Sequence, residues 1–154
     1  MIRRAEQRDT PALMSLLLEV NAVHNEIRPD LFKGNTTKYD QSELSDVLRD
    51  NDKPVFVYEA DGHILGHAFC QLIEVRDNRL LQDIKTLYID DICVARQSRG
   101  QHVGRALYEY VRNYAKQFGC YNITLNVWQG NDSAYHFYQS MGMSAQKTGM
   151  EDIL

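Results

Sequence analysis

The stretch that decides the fold is Cys93–Gly119, "CVARQSRGQHVGRALYEYVRNYAKQFG". It leaves an apolar, strand-like end, crosses a basic loop holding Gly100 and Gly104, and settles into a helical rhythm. Leu107, Val111, Tyr114, Ala115 and Phe118 recur on one face, and Gly119 closes the pattern. A strand that feeds a helix through such a loop aims backbone N–H groups and the positive end of the helix dipole at one place, which suits a phosphate. Arg99 and Arg105 add positive charge, and Gly100 and Gly104 let the main chain turn and approach. His102 stands in the middle of this loop, where a small residue is expected. The common nucleotide loops, G-x-x-x-x-G-K-[ST] and G-x-G-x-x-G, do not fit the spacing. On its own the loop reads equally well as a basic surface turn.

Outward from this stretch, the elements alternate. "MIRRAE" predicts a short strand. Thr10 and Pro11 open a helix, as cap and first helical residue, with Leu13, Leu16, Leu17 and Val20 on one face and an end near Asn25. "IRPDLFKGNTTKYD" is a loop, and "SELSDVLRD" a second short helix capped at Ser42, with Leu44, Val47 and Leu48 inward. Asp61-Gly62 joins two strand-rich runs of "PVFVYEADGHILGHAFCQLIEVR" into a hairpin. "TLYIDDICV" predicts a buried strand. "YNITLNVW" alternates, with Ile123, Leu125 and Val127 on one side, and "NDSAYHFYQSM" is a helix capped by Asn131 or Asp132 and stopped at Gly142. "MSAQKTGMEDIL" is expected to add one or two last strands. Strand–helix–strand order after the hairpin implies parallel neighbours joined by a right-handed crossover, so the expected architecture is an α/β mixed sheet with helices on both faces.

Composition narrows the function. A chain of 154 residues with 44% hydrophobic and 25% charged residues suits a single domain over 1–154 with its own core. A net charge of −4 argues against a duplex nucleic-acid partner. Cys70, Cys93 and Cys120 show neither paired nor metal-type spacing, and the N-terminus reads as a strand instead of a targeting segment, so a reducing, cytoplasmic setting is expected. No run reaches a membrane span of about 18 apolar residues. His24, His63, His67 and His136 show no metal spacing, and no metal site is expected.

Two motifs carry a family resemblance. Arg99-x-x-His102-x-Gly104 resembles motif A of the GNAT N-acetyltransferases, [QR]-x-x-G-x-[GA], with His102 in the place of the first glycine. Flanking "ICV" and "GRALYEYV" resemble that family's strand end and helix start. Further on, "NVWQGNDSAYHFYQSMGM" resembles its second signature, placing Asn131, Ala134, Phe137, Tyr138 and Gly142 at N-x-x-A-x-x-F-Y and the following glycine. The resemblance implies a mostly antiparallel mixed sheet with a splay between the fourth and fifth strands. It implies that acetyl-CoA (coenzyme A) is the co-substrate. Main-chain groups of Ile92, Cys93 and Val94 are then expected to meet the pantetheine arm. Arg99, Gly100, Gln101, His102, Val103, Gly104 and Arg105 are expected around the pyrophosphate, with Asn131 and Tyr138 near the pantetheine end.

Acetyl transfer to an amine needs a free amine, a polarised thioester carbonyl and a proton for the departing thiolate. Tyr138 has the family's acid position, although Tyr135 shares its helix face. In "YIDDICV" two acids interrupt an apolar strand, a costly placement unless they are paired, solvated or used. Alternation puts them on opposite faces, and resemblance to an acid that precedes motif A in amine acetyltransferases points to Asp90 as base, through a water. Pairing of either acid with Lys85 or an arginine is the competing expectation. Cys93 near the thioester suggests either an acyl-cysteine or a small buried side chain. Glu26, Asp30, Tyr39 and Glu74 are candidate walls of the acceptor pocket. The expected activity is acetyl transfer to a primary amine, small or protein-borne, by direct attack in a ternary complex. The alternatives are a non-catalytic acyl-CoA-binding module, or an interaction protein whose loop takes another phosphate. A homodimer through the tail "KTGMEDIL" is open, and neither a membrane nor a nucleic acid is expected as partner.

Overall fold

The computed structural model describes residues 1–154. Five strands form one sheet in chain order: β1 (Ile2–Arg4), β2 (Val55–Ala60), β3 (His63–Val75), β4 (Ile84–Val94) and β5 (Asn122–Thr124). β1 to β4 pair antiparallel, and β4 pairs parallel with β5 after a crossover through a helix. The helices are α1 (Thr10–Ile27), α2 (Gln41–Arg49), α3 (Val103–Gln117) and α4 (Asp132–Ser140). The mixed α/β architecture expected from the sequence is therefore present.

Alternation along the strands sorts the helices onto two faces. Val55, Val57 and Phe69 face one side and pack with Leu13 and Leu17 of α1 and Leu44 and Val47 of α2. Phe56, Ala68, Cys70, Leu87 and Ile89 face the other and pack with Val103, Leu107, Val111 and Ala115 of α3. The β2–β3 turn forms where Asp61-Gly62 predicts it, with φ of 50° and 75° at the two residues, the positive values a twisted two-residue hairpin turn requires. Gly66 of β3 is a close-approach site: a Cβ there would lie 2.8 Å from the Cys93 carbonyl oxygen and 3.2 Å from Val103 and Leu107.

Five details differ from the sequence reading. α1 begins at Thr10 and is preceded by Asp9, because a turn of 3-10 helix over Gln7–Asp9 already leads into it; Thr10 Oγ1 donates to the Gln7 carbonyl and Pro11 still sits in the first turn. α1 also runs to Ile27, beyond Asn25. α2 is capped by Asp40, not Ser42: the Asp40 carboxylate accepts from the Glu43 N–H while Glu43 accepts from the Asp40 N–H, a reciprocal box two residues earlier. No strand forms after α4. β5 is only three residues long, and the segment from Met143 to Leu154 lies mostly exposed, tied back by Glu151, which pairs with Arg28.

Candidate functional site

β4 and β5 are bonded only where Thr86, Leu87 and Tyr88 meet Asn122, Ile123 and Thr124. Beyond Tyr88 the β5 side of β4 is open, while β3 continues to pair with β4 as far as Val94. This is the splay, and it exposes main-chain donors and acceptors of β4 along the segment that contains Ile92, Cys93 and Val94. An extended arm with amide groups can pair there as a strand would.

The open edge leads straight into the loop. After Val94 comes a 3-10 turn at Arg96–Ser98, and the Arg99 guanidinium donates back to the Val94 carbonyl. Gly100 takes φ 78° and His102 takes φ 63°, ψ 13°, so the chain turns twice through the left-handed region before α3 starts. Glycine adopts that geometry freely, and the histidine bears it at a cost of about 1–2 kcal/mol. His102 makes no side-chain cap, and the first bond of α3 closes from the Ala106 N–H to the His102 carbonyl. The N–H groups of Val103, Gly104 and Arg105 are thus free of the helix ladder. Gly104 lies beside Val94 and Phe137, so the loop and α4 meet there. Replacing His102 by Gly is expected to raise stability by about 1 kcal/mol with little change in coenzyme A affinity, because the path already has the shape glycine prefers. Denaturant unfolding and calorimetry check this; much tighter binding by the variant would show that the histidine obstructs the loop.

The two acids of β4 do not lie as simple alternation predicts. Phe69 of β3 pairs with Asp91, and Cys70 pairs with Ile89, so Asp90 is the extra residue of a β-bulge. The bulge shifts the face of every residue after it. Before it, Leu87 and Ile89 face α3; after it, Ile92 and Val94 pack on that core while Cys93 turns to Leu16 of α1. Neither acid pairs with Lys85 or an arginine. Asp90 binds the Lys38 ammonium from the α1–α2 loop. Asp91 accepts from Nε2 of His67, at 2.8 and 3.1 Å to its two oxygens.

His67 is fully buried, and its Nδ1 has no partner. Because Nδ1 is sealed without a partner while Nε2 faces the carboxylate, the tautomer with its proton on Nε2 is favoured and points that proton at Asp91. Neither His67 nor Lys38 stands out in sequence: the first is one polar residue inside "GHAFC", and the second is a loop lysine.

On the other side of the splay Tyr138 packs against the α3 core near Tyr108. Burial, followed by the negative field of Asp91, pushes its phenol pKa up. His67 Nδ1 is the only sealed side-chain polar atom without a partner, so the Tyr138 hydroxyl, which makes no hydrogen bond within the chain, reaches solvent. Asn131 caps α4 by accepting from the Ala134 N–H. Tyr135, on the same helix, is more exposed. Cys93 is buried and donates to the Leu16 carbonyl, with its thiol pushed up to about 12 by burial, which leaves almost no thiolate at neutral pH. Of the candidate pocket walls, Tyr39 lies beside Lys38 and Phe69, close to the acids. Asp30 is taken by Arg28, Glu26 is exposed on the last turns of α1, and Glu74 sits opposite Lys85 toward the far end of β3, paired with Arg76.

A family model described as the acetyltransferase (GNAT) family matches residues 20–143, which include β4, the loop, α3 and α4. The chain belongs to the GNAT acetyltransferase family. Its fold is shared by several crystal structures. A mutant of the BH1408 protein from Bacillus halodurans is 30% identical, with a TM-score of 0.95 over 100% of this chain and 99% of that one. An acetyltransferase from Vibrio fischeri is 23% identical, with a TM-score of 0.69 over 84% and 97% of the two chains. An aminoglycoside acetyltransferase from a soil metagenomic sample, in complex with sisomicin, is 19% identical, with a TM-score of 0.71 over 100% and 94%. No curated protein sequence matches the chain. In this GNAT chain no helix is long and apolar enough to cross a membrane.

Proposed function

We propose that residues 1–154 form one acetyltransferase domain that moves the acetyl group of acetyl-CoA to a cationic primary amine. The observation that carries the reading is the continuity of the open β4 edge with the uncapped start of α3. Together they offer main-chain partners for a pantetheine arm and free N–H groups for a pyrophosphate.

The residues fit that co-substrate. Ile92, Cys93 and Val94 would pair with the arm through their main chain. Gly100, Gln101, His102, Val103 and Gly104 would turn backbone N–H groups toward the phosphates, with Arg99 and Arg105 supplying charge and Asn131 shaping the inner end. When bound, the co-substrate supplies an activated acyl carbon. Tyr138 holds a phenolic proton for the departing sulfur, and the acidic pair at the bulge receives the acceptor. Asp90 is the proposed base and ammonium seat, because it already binds an ammonium in the chain itself. The amine must lose its proton before attack, and a carboxylate within hydrogen-bond reach, directly or through one water, can take it. The buried, protonated thiol of Cys93 speaks for direct attack over an acyl-cysteine.

Calorimetry with acetyl-CoA followed by thiol release against a panel of amines tests this. The panel holds an aminoglycoside, a polyamine, and lysine-bearing and N-terminal peptides. Saturable binding and turnover with at least one cationic amine are expected. Binding without any turnover would favour the acyl-CoA-binding module, and no binding would remove both readings.

A further inference from the structure

Lys38 occupies the place the proposed reaction reserves for its acceptor. The residue lies in the loop between α1 and α2, yet its ammonium reaches the bulge of β4 and binds Asp90. The segment is seated there by several contacts. Lys38 Nζ lies 5.5 Å from the centre of the Tyr39 ring, and that ring packs at 6.1 Å on Phe69, the residue of β3 that pairs with Asp91. Thr37 donates to the Tyr39 carbonyl and tightens the turn. Two residues beyond Asp90, β4 presents the open main chain of Ile92. An amine, a carboxylate able to take its proton, and the proposed thioester position thus follow one another along a few residues of β4. That places a nucleophile beside a base. With its side chain 54% exposed, Lys38 can also leave the carboxylate without unpacking a core.

We propose that Lys38 is an intramolecular acceptor, acetylated by the co-substrate bound to its own chain, and that the modification clears Asp90 for an external amine. The inference rests on the proposed acetyl-CoA site. In the step, Asp90 takes a proton from the ammonium, and Nζ attacks the thioester carbonyl carbon. A C–N bond forms, the C–S bond breaks, and the thiolate leaves with a proton from Tyr138. The amide nitrogen sheds its remaining excess proton to water. No oxidant or metal enters the balance. The product carries no charge, so it no longer binds Asp90 as an ion pair. The resting pair works against the reaction: burial opposes the Lys38 charge, but the hydrogen bond and field of Asp90 outweigh it and hold the ammonium above its ordinary pKa. Self-acetylation is therefore a slow, once-only event beside turnover of a free amine.

The test incubates the full chain with acetyl-CoA alone and follows intact mass and peptide mass spectra. Expected is one added acetyl group, at Lys38, formed about 100-fold faster than at the exposed Lys116 and Lys147. The rate constant should not depend on protein concentration, and Asp90→Asn should slow the step about 100-fold while Lys38→Arg abolishes it. Acetyl-CoA that binds calorimetrically but leaves Lys38 unmodified overturns the inference and spares the proposed function. So does a rate constant that rises in proportion to protein concentration, or equal labelling of all exposed lysines. A chain that does not bind acetyl-CoA overturns both.

Discussion

Replacing Tyr138 by Phe is expected to lower kcat for the best amine about 100-fold, with the KM for acetyl-CoA nearly unchanged. Positioned proton donors contribute typically 10²–10⁴-fold, and the lower end applies because a thiol of pKa about 8.5 is already a fair leaving group. The ring stays in place in the variant, so packing against the α3 core and Tyr108 survives, and only an interaction made as the thiolate departs is lost. The pH dependence separates this role from a purely structural one. Burial and Asp91 shift the phenol above its ordinary 10.0, so the proposed proton donor remains protonated from neutral pH up to about 10. The ratio of wild-type to variant rates should stay flat over that range. A ratio that collapses toward one well below pH 10, or a variant as fast as wild type, removes Tyr138 from the chemistry. Unfolding measurements on the same variant guard against a rate loss that merely follows stability.

The parts of the fold that were legible in sequence are those set by neighbours in the chain. The Asp61-Gly62 turn works because two adjacent residues reach positive φ, and the α3 face follows from spacing alone. The capping box at Asp40 and Glu43 is equally local; reading it from Ser42 placed the helix start two residues late. The outlier in the loop was legible too, as a histidine where a small residue is expected, and the structure gives His102 a left-handed conformation. What escaped depends on pairing across the sheet. Periodicity assumes an unbroken register, so it set Asp90 and Asp91 on opposite faces; the bulge at Asp90 exists only in relation to Phe69 and Cys70 of β3. Likewise Lys38 and His67 meet the two acids across 52 and 24 residues of chain, and no spacing rule connects them. The final strand failed for a related reason. Strand-like composition at 143–154 needs an edge to bond, and β5 offers three residues.

Gly66→Ala is expected to cost about 3 kcal/mol of stability and to weaken acetyl-CoA binding as well, a pair of effects no surface substitution should produce. The added methyl would sit 2.8 Å from the Cys93 carbonyl oxygen, a backbone atom, and 3.2 Å from side-chain carbons of Val103 and Leu107. Overpacking typically costs 1–3 kcal/mol, and the upper end applies because a backbone oxygen cannot rotate aside as a side-chain tip can. The strain has two outlets. If β3 and α3 separate, Val103 and Leu107 lose their seat, and the first turn of α3 moves with them. If β4 moves instead, Cys93 shifts along with its neighbours Ile92 and Val94, whose open edge forms the proposed arm site. Either outlet displaces one half of the proposed cradle, whose two halves would hold the same ligand. The expected outcome is a lower denaturant midpoint together with a larger calorimetric Kd for acetyl-CoA. A less stable variant that binds with unchanged affinity would mean that the close packing of β3, β4 and α3 serves the core alone.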